Sequence, residues 1–182
     1  MITEFCELQG VIYVKRAVIL FPKFNNIDTI NNIRGKYDPL ANYIAPHITI
    51  IFPFESDLTT HELKEHFNKS LIDMKNFKIM LKSITGDYRD GYLFLNVKKG
   101  NDNIIELHDK LYSGLLEKFI FRKVTYCPHL TVGRMFDQKE FDGAVDELSC
   151  HNEIYETVID KVFIVNIDLD ENSIIEFTFD LE

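Results

Sequence analysis

Pro46-His47-Ile48-Thr49-Ile50 and Pro128-His129-Leu130-Thr131-Val132 repeat one pattern 82 residues apart. Each copy sits in a run of apolar and β-branched residues, the composition of a strand. Alternate side chains of a strand share a face. His47 and Thr49 therefore point one way, and Ile48, Ile50 and Phe52 the other. His129, Thr131 and Gly133 likewise share a face opposite Leu130 and Val132. Each strand must give its apolar side to a core and a short polar line to something else. The surroundings repeat too: a helical period precedes each motif, and a capping-box signature opens a helix after it, Thr59-x-x-Glu62 and Asp137-x-x-Glu140. A duplicated α+β fold is expected, with two similar lobes of antiparallel-type sheet, outer helices and an approximate two-fold relation. The His-x-Thr strands would then line a central cleft.

The remaining elements follow from periodicity. Val11 to Phe21 reads as a strand ending at Pro22. Ile27, Ile30 and Ile33 predict a helix with Asn25 as N-cap and Gly35 just past its end. Leu63, Phe67, Leu71 and Met74 mark one face of the next helix. Phe77 to Ile84 and Tyr92 to Val97 predict a hairpin turning at Asp90-Gly91. Ile104, Leu107, Leu111, Leu115 and Phe119 predict one long helix. After the second motif, Phe141, Val145 and Leu148 predict another. Val158 to Leu169 and Ser173 to Leu181 predict a closing hairpin around Asp170-Glu171-Asn172. No stretch reads as a linker, so residues 1–182 are expected to form a single domain of two intimately packed lobes.

With 29 acidic and 20 basic residues, the net charge of −9 argues against tight binding of long nucleic acid. It allows a small anion in a local basic pocket, and Lys118, Arg122, Lys123 and Arg134 fall in a stretch poor in acids. An ordinary solvated face is the alternative for that cluster. Cys6, Cys127 and Cys150 are odd in number and lack metal-ligand spacing, as expected of reduced thiols in a cytoplasmic protein. The apolar run Ala17 to Phe21 is far too short to span a bilayer.

Two imidazoles and two hydroxyls suit phosphodiester chemistry without a metal or other cofactor. Histidine both donates and accepts a proton near neutral pH, so one ring can activate the attacking oxygen and the other protonate the departing one. Threonine hydroxyls can donate to non-bridging phosphate oxygens, where charge builds in the transition state. Shuffling this composition gives about 0.3 His-x-Thr tripeptides, and roughly 0.002 once the Pro and the apolar positions are required. Two copies on strands are therefore hard to assign to chance. The plainer alternative is a pair of structural histidines at strand starts.

The segments "IRGKYDPLANYIAPHITIIFPFES", "GYLFLNVKKGNDNIIELHDKLYSGL" and "CPHLTVGR" resemble the 2H phosphoesterase superfamily, which includes the 2′-5′ RNA ligase-like proteins, over most of the chain. The resemblance implies two lobes about a cleft and metal-free acid–base catalysis on 2′,3′-cyclic phosphates, 2′-5′ linkages or RNA ends. It implies that His47 and His129 are catalytic and that Thr49 and Thr131 bind phosphate. The expected substrate is a small nucleotide or RNA terminus, with no membrane partner, and the expected state is a monomer. RNA 2′-5′ ligation and nucleotide or RNA-end binding without turnover are the alternatives.

Around the motifs, Arg134 could steady a phosphate or stack on a base. Strict alternation sets it opposite His129 unless a bulge near Gly133 resets the register. Tyr43 and Tyr126 could stack on a nucleobase, or pack in the core or rim. Phe52 and Phe54 are expected in the core, and Cys127 as a small buried thiol rather than a nucleophile. His61, His66, His108 and His151 are assigned no chemistry.

Overall fold

The computed structural model describes residues 13–182. Cys6, and the start of the first expected strand at Val11 and Ile12, lie outside them. In chain order the elements are strand β1 (Val14–Leu20), helix α1 (Ile27–Tyr37), β2 (Ile48–Ser56), α2 (Thr60–Ser70), β3 (Phe77–Asp87), β4 (Tyr92–Lys99), α3 (Asn101–Leu111), a 3₁₀ helix (Gly114–Phe119), β5 (His129–Arg134), α4 (Gln138–Leu148), β6 (Ile154–Ile159), β7 (Lys161–Ile167) and β8 (Ser173–Asp180).

Two four-stranded sheets result, ordered β2-β1-β7-β8 and β5-β4-β3-β6, and every paired neighbour is antiparallel. The two orders correspond place by place. A motif strand holds one edge of each sheet, next to the strand that precedes it with a helix between. The unit β1-α1-β2-α2 thus matches β4-α3-β5-α4. The helices cross over: α1 packs on β5 and α3 on β2, and the two motif strands approach each other. Close packing of α1 requires Gly133, because a Cβ there would lie 2.9 Å from Tyr37 Cβ and 3.2 Å from the Tyr37 carbonyl oxygen.

One continuous core, including Leu20, Ile48, Phe67, Leu95, Leu130 and Tyr155, joins both sheets. A smaller apolar cluster of Ala17, Ile19 and Val165 lies apart from it, flanked by Phe21, Ile44, Phe163 and Ile167. β1 feeds both, Val18 and Leu20 to the main core and Ala17 and Ile19 to the second. Burial on both faces is why this strand reads as an unbroken apolar run.

Both helix-start signatures form. Thr59 accepts from the Glu62 amide while Glu62 reaches back to the Thr59 amide, and Asp137 accepts from the Glu140 amide. The β3–β4 hairpin also forms, with Gly91 in the left-handed region at φ +69°. A side chain there would strike the Met135 carbonyl oxygen, 1.8 Å from an ideal Cβ.

Four expectations are corrected. α1 begins after Asn26, whose side chain bonds Glu153 and the Ile154 carbonyl instead of capping. It runs through Gly35 and stops at Tyr37, because Pro39 disfavours helical geometry at Asp38. The long helix after β4 breaks at Tyr112, where Gly114 (φ +50°) restarts the chain as a 3₁₀ turn. The run from Val158 is split: Val158 and Ile159 end β6 in one sheet, and after Asp160 the chain enters β7 in the other. The hairpin closing around Glu171 is then β7–β8. Cys127 is exposed, not buried. It precedes the start of β5, so strand alternation does not govern it.

Candidate active site

His47 and His129 stand at the starts of the two motif strands and are held alike. Nδ1–H of His47 donates to the Ala45 carbonyl at 3.0 Å, and Nδ1–H of His129 donates to the Cys127 carbonyl at 2.7 Å. A carbonyl only accepts, so each bond fixes the proton on Nδ1 and leaves Nε2 as the proton-exchanging atom. Burial pushes both imidazoles below the ordinary 6.5, against the opposing pull of those carbonyls. The rings are near enough that charge on His129 disfavours charge on His47.

The environments differ. Beside His47 lies a buried ion pair, with Arg34 Nε donating to Asp38 Oδ2 at 2.7 Å. Arg34 lowers the His47 pKa and Asp38 raises it. Phe21 stands edge-on to His47 at 6.4 Å and packs on Phe163 at 5.0 Å. Since Ile19 pairs across from Thr49, the second apolar cluster lies on the motif's own face. Thr49 and Thr131 are both half-buried.

On the other lobe β4 supplies the floor. Asn96 pairs with His129, Phe94 with Thr131 and Tyr92 with Arg134. Phe94 lies against the His129 ring at 3.9 Å. The pairing slips between Leu93↔Gly133 and Phe94↔Thr131, leaving Val132 as an extra residue. Val132 and Gly133 are consecutively buried. This bulge returns Arg134 to the face of His129. There its guanidinium lies 4.7 Å from the Tyr92 ring and 4.8 Å from that of Phe136, and its buried Nε has no hydrogen-bond partner.

Tyr126 links the two motifs. Its hydroxyl donates to the Thr49 carbonyl at 2.8 Å, and its ring stacks on His108 at 3.8 Å. Burial holds its pKa well above the ordinary value, so the hydroxyl stays a donor. The neighbouring Tyr112 hydroxyl accepts from the Phe52 amide at 3.2 Å. Two tyrosines thus satisfy backbone groups that the edge strand β2 would otherwise leave unpaired. One face of Tyr126 is taken by His108, whereas Tyr43, just ahead of the first motif, is half exposed. Tyr126→Phe is expected to cost about 1 kcal/mol of stability, the worth of one such bond, and to lower kcat by loosening Thr49. Denaturant midpoints and steady-state kinetics measure the two effects.

The remaining residues are brought together only in part. Phe54 is in the core. Phe52 is half-buried against Phe121 at 5.4 Å, because a slip in the β1–β2 register buries Ile50 and Ile51 in succession and turns Phe52 away. Lys118 and Arg122 share a shallow hollow with Glu117; Arg134 lines a different one. His66 is a buried structural histidine bonded to the Leu111 carbonyl at 2.9 Å. Among the described residues, no group of three or more His, Cys, Asp or Glu side chains is arranged to hold a metal ion, and no helix is long and apolar enough to cross a membrane. Phe21, Tyr92, Phe94, Asn96 and the Arg34–Asp38 pair were not anticipated at the site. Tyr92, Phe94 and Asn96 do alternate visibly with the apolar Leu93, Leu95 and Val97, but alternation does not reveal which strand is their neighbour.

The fold is thus a two-lobed α+β protein of two matched sheets, with an imidazole at the head of each motif strand. Residues 22–171 match the model of the 2′-5′ RNA ligase superfamily, and the chain belongs to that family. Among similar proteins are provisionally named phosphoesterases of Bacillus licheniformis, 26% identical over 149 residues covering 81% of this chain and 87% of that one, and of Geobacillus kaustophilus, 25% identical over 152 residues covering 81% and 85%. Among solved structures, E. coli LigT complexed with 3′-AMP superposes with a TM-score of 0.64 at 13% identity, covering 93% of this chain and 99% of that one. The same protein complexed with phosphate gives 0.63 at 14% identity, covering 93% and 98%. At these identities the structural likeness concerns the fold.

Proposed function

We propose that the chain is a metal-independent phosphodiesterase that opens 2′,3′-cyclic phosphates or cleaves 2′-5′ linkages in nucleotides or RNA ends. The observation that carries this is the matched setting of His47 and His129: the same Nδ1 bond, a free Nε2, and a His129 near enough for its charge to lower the His47 pKa. One Nε2 accepts a proton from the attacking oxygen, and the other, protonated, gives its proton to the leaving oxygen. Thr49 and Thr131 donate to the non-bridging oxygens. Arg134 and Tyr43 border the substrate, and Tyr126 holds the first motif strand in place. The 3′-AMP and phosphate complexes of E. coli LigT support a nucleotide-sized ligand for this fold.

The test is turnover of 2′,3′-cyclic mononucleotides, ADP-ribose cyclic phosphate and 2′-5′ oligoadenylate, with and without chelator. Product at undiminished rate under chelation is expected. Loss of all activity under chelation, restored by added metal, would overturn the metal-free mechanism. Tight binding of a non-hydrolysable analogue with no turnover of any substrate would favour a binding module, and joining of a cyclic phosphate to a 5′-hydroxyl would favour ligation.

Acid–base exchange between two imidazoles also fixes a pH dependence. Activity needs one ring neutral and the other protonated, so rate falls where both are charged and where both are neutral. Both pKa values are lowered from 6.5 in the free protein. The bell in kcat/KM is therefore expected to peak below about pH 6.5. A bound phosphate anion favours the protonated rings, so the kcat profile should peak at higher pH than kcat/KM. A kcat/KM maximum well above neutrality contradicts the assignment.

A further inference from the structure

His108 packs against both tyrosines that hold the edge of β2. Its ring stacks on Tyr126 at 3.8 Å with the planes 15° apart, and meets Tyr112 edge-on at 4.8 Å. The Tyr126 hydroxyl donates to the Thr49 carbonyl, and the Tyr112 hydroxyl accepts from the Phe52 amide. One imidazole thus backs two bonds to the first motif strand. The imidazole is itself fixed. Its side chain is only 14% exposed, and its Nδ1–H donates to Asp109 at 2.9 Å. It rides on α3, which buries Ile104, Leu107 and Leu111 completely and packs on β2.

The second motif depends on the same contact. Thr125 to Pro128, which lead into β5, are neither helix nor strand. Among the described residues, no backbone–backbone hydrogen bond ties these four down. Thr125 and Cys127 are exposed, so the segment is held by the half-buried Tyr126 and the buried Pro128. The carbonyl that orients His129 belongs to Cys127, directly between them. Where Tyr126 sits therefore decides where that carbonyl sits. β2 and β5 lie in different sheets, so no strand ladder sets their spacing. Paired proton transfer is sensitive to such spacing, since a displacement of about 1 Å can cost about a hundredfold in rate.

We propose that His108 is a positioning residue: by backing Tyr126 against the Thr49 carbonyl, its ring fixes the spacing of the two motifs and the orientation of His129. This rests on the phosphodiesterase reading above, in which both motif imidazoles act on one phosphate. His108 exchanges no proton in this role. What it supplies is a flat, rigid face on which the Tyr126 ring lies. The effect is one-sided, because His47 is oriented by the Ala45 carbonyl, on the segment that follows α1 rather than on the one backed by α3.

Two measurements on His108→Ala, His108→Leu and His108→Phe test it. Nitrogen NMR of the imidazoles, on the alkaline side of neutrality, reads the tautomers without turnover. Both motif histidines of wild type should carry the proton on Nδ1. In His108→Ala, His129 should become a mixture of tautomers while His47 keeps its form. Steady-state kinetics should show kcat lowered by about ten- to a hundredfold, with KM within about twofold of wild type. His108→Phe keeps a flat ring and cannot exchange a proton, and it should restore the His129 tautomer and most of kcat. His108→Leu keeps bulk without the face and should behave as His108→Ala, so it carries the test if the alanine variant does not fold. A native His129 tautomer with native kcat in His108→Ala overturns the proposal. So does a His108→Phe protein as impaired as His108→Ala, and so does equal disturbance of His47 and His129, which general loosening of the fold would produce. Failure of the phosphodiesterase reading shows separately, as absence of wild-type turnover while the tautomer pattern stands.

Discussion

Replacing either motif histidine with alanine is expected to lower kcat by about a hundred- to ten-thousand-fold, the usual worth of one positioned proton transfer. His47→Ala and His129→Ala should each fall in this range, and the double variant should be little worse than the poorer single one. In the proposed mechanism the two rings act in one transition state, and losses within such a unit do not add. Both rings are half-buried at strand starts and outside the main core. Thermal midpoints close to wild type should therefore accompany the loss. His129→Ala also removes the support of Phe94, so His129→Gln, which keeps bulk there but cannot exchange protons near neutral pH, separates chemistry from packing. Near-native turnover in either alanine variant on every substrate would remove the paired-imidazole mechanism.

How much of this was legible in the sequence follows from which interactions are local. The capping box at Thr59 and the N-cap at Asp137 are local, and both helices start where expected. The repeated His-x-Thr pattern marks two equivalent strands, and those strands hold corresponding edges of two sheets of the same order. Alternation placed Thr49 opposite the buried Ile48 and Ile50. At Arg134 strict alternation gives way to the exception the sequence allowed, a bulge next to Gly133: Val132 is the extra residue that returns Arg134 to the face of His129, and only the pairing of β5 with β4 fixes it there. The split of β6 from β7 at Asp160 was hidden for a similar reason. A single residue carries the chain from one sheet to the other, with no glycine or proline to mark the passage. Tyr126 was recognisable as a motif neighbour, but its bond to Thr49 spans the two lobes and depends wholly on tertiary geometry. The i,i+4 spacing of Arg34 and Asp38 was open to reading. Their burial beside His47 was not, because the helix runs through Gly35 and carries the pair inward.

That pair gives the largest expected change in stability. The Arg34 and Asp38 side chains are only 2% and 5% exposed. Asp38 also accepts from the Leu40 amide at 2.9 Å, while Arg34 reaches the Leu40 carbonyl at 3.4 Å, so the pair pins the segment that leads from α1 to His47. Asp38→Ala strands a buried guanidinium and is expected to cost about 3–5 kcal/mol. That is a large share of the 5–15 kcal/mol that typically holds a domain folded, and at about 2–4 °C per kcal/mol it lowers Tm by roughly 6–20 °C. The same change has a second, electrostatic consequence. Asp38 supports the protonated form of His47 and Arg34 opposes it, so losing the carboxylate moves the His47 pKa further down. The limb of the kcat/KM profile that His47 governs should move to lower pH by the same sign. Arg34→Met in the Asp38→Ala background removes the stranded charge and should recover much of the lost stability, because apolar replacement of a buried pair is often neutral or better. It should also reverse the displacement of that limb, since the charge that disfavours His47 protonation is gone. A double-mutant cycle in urea, read beside the pH profiles, measures both. An Asp38→Ala protein within about 1 kcal/mol of wild type would mean that Arg34 finds solvent or another partner once released, and the electrostatic asymmetry between the two histidines would lose its structural basis.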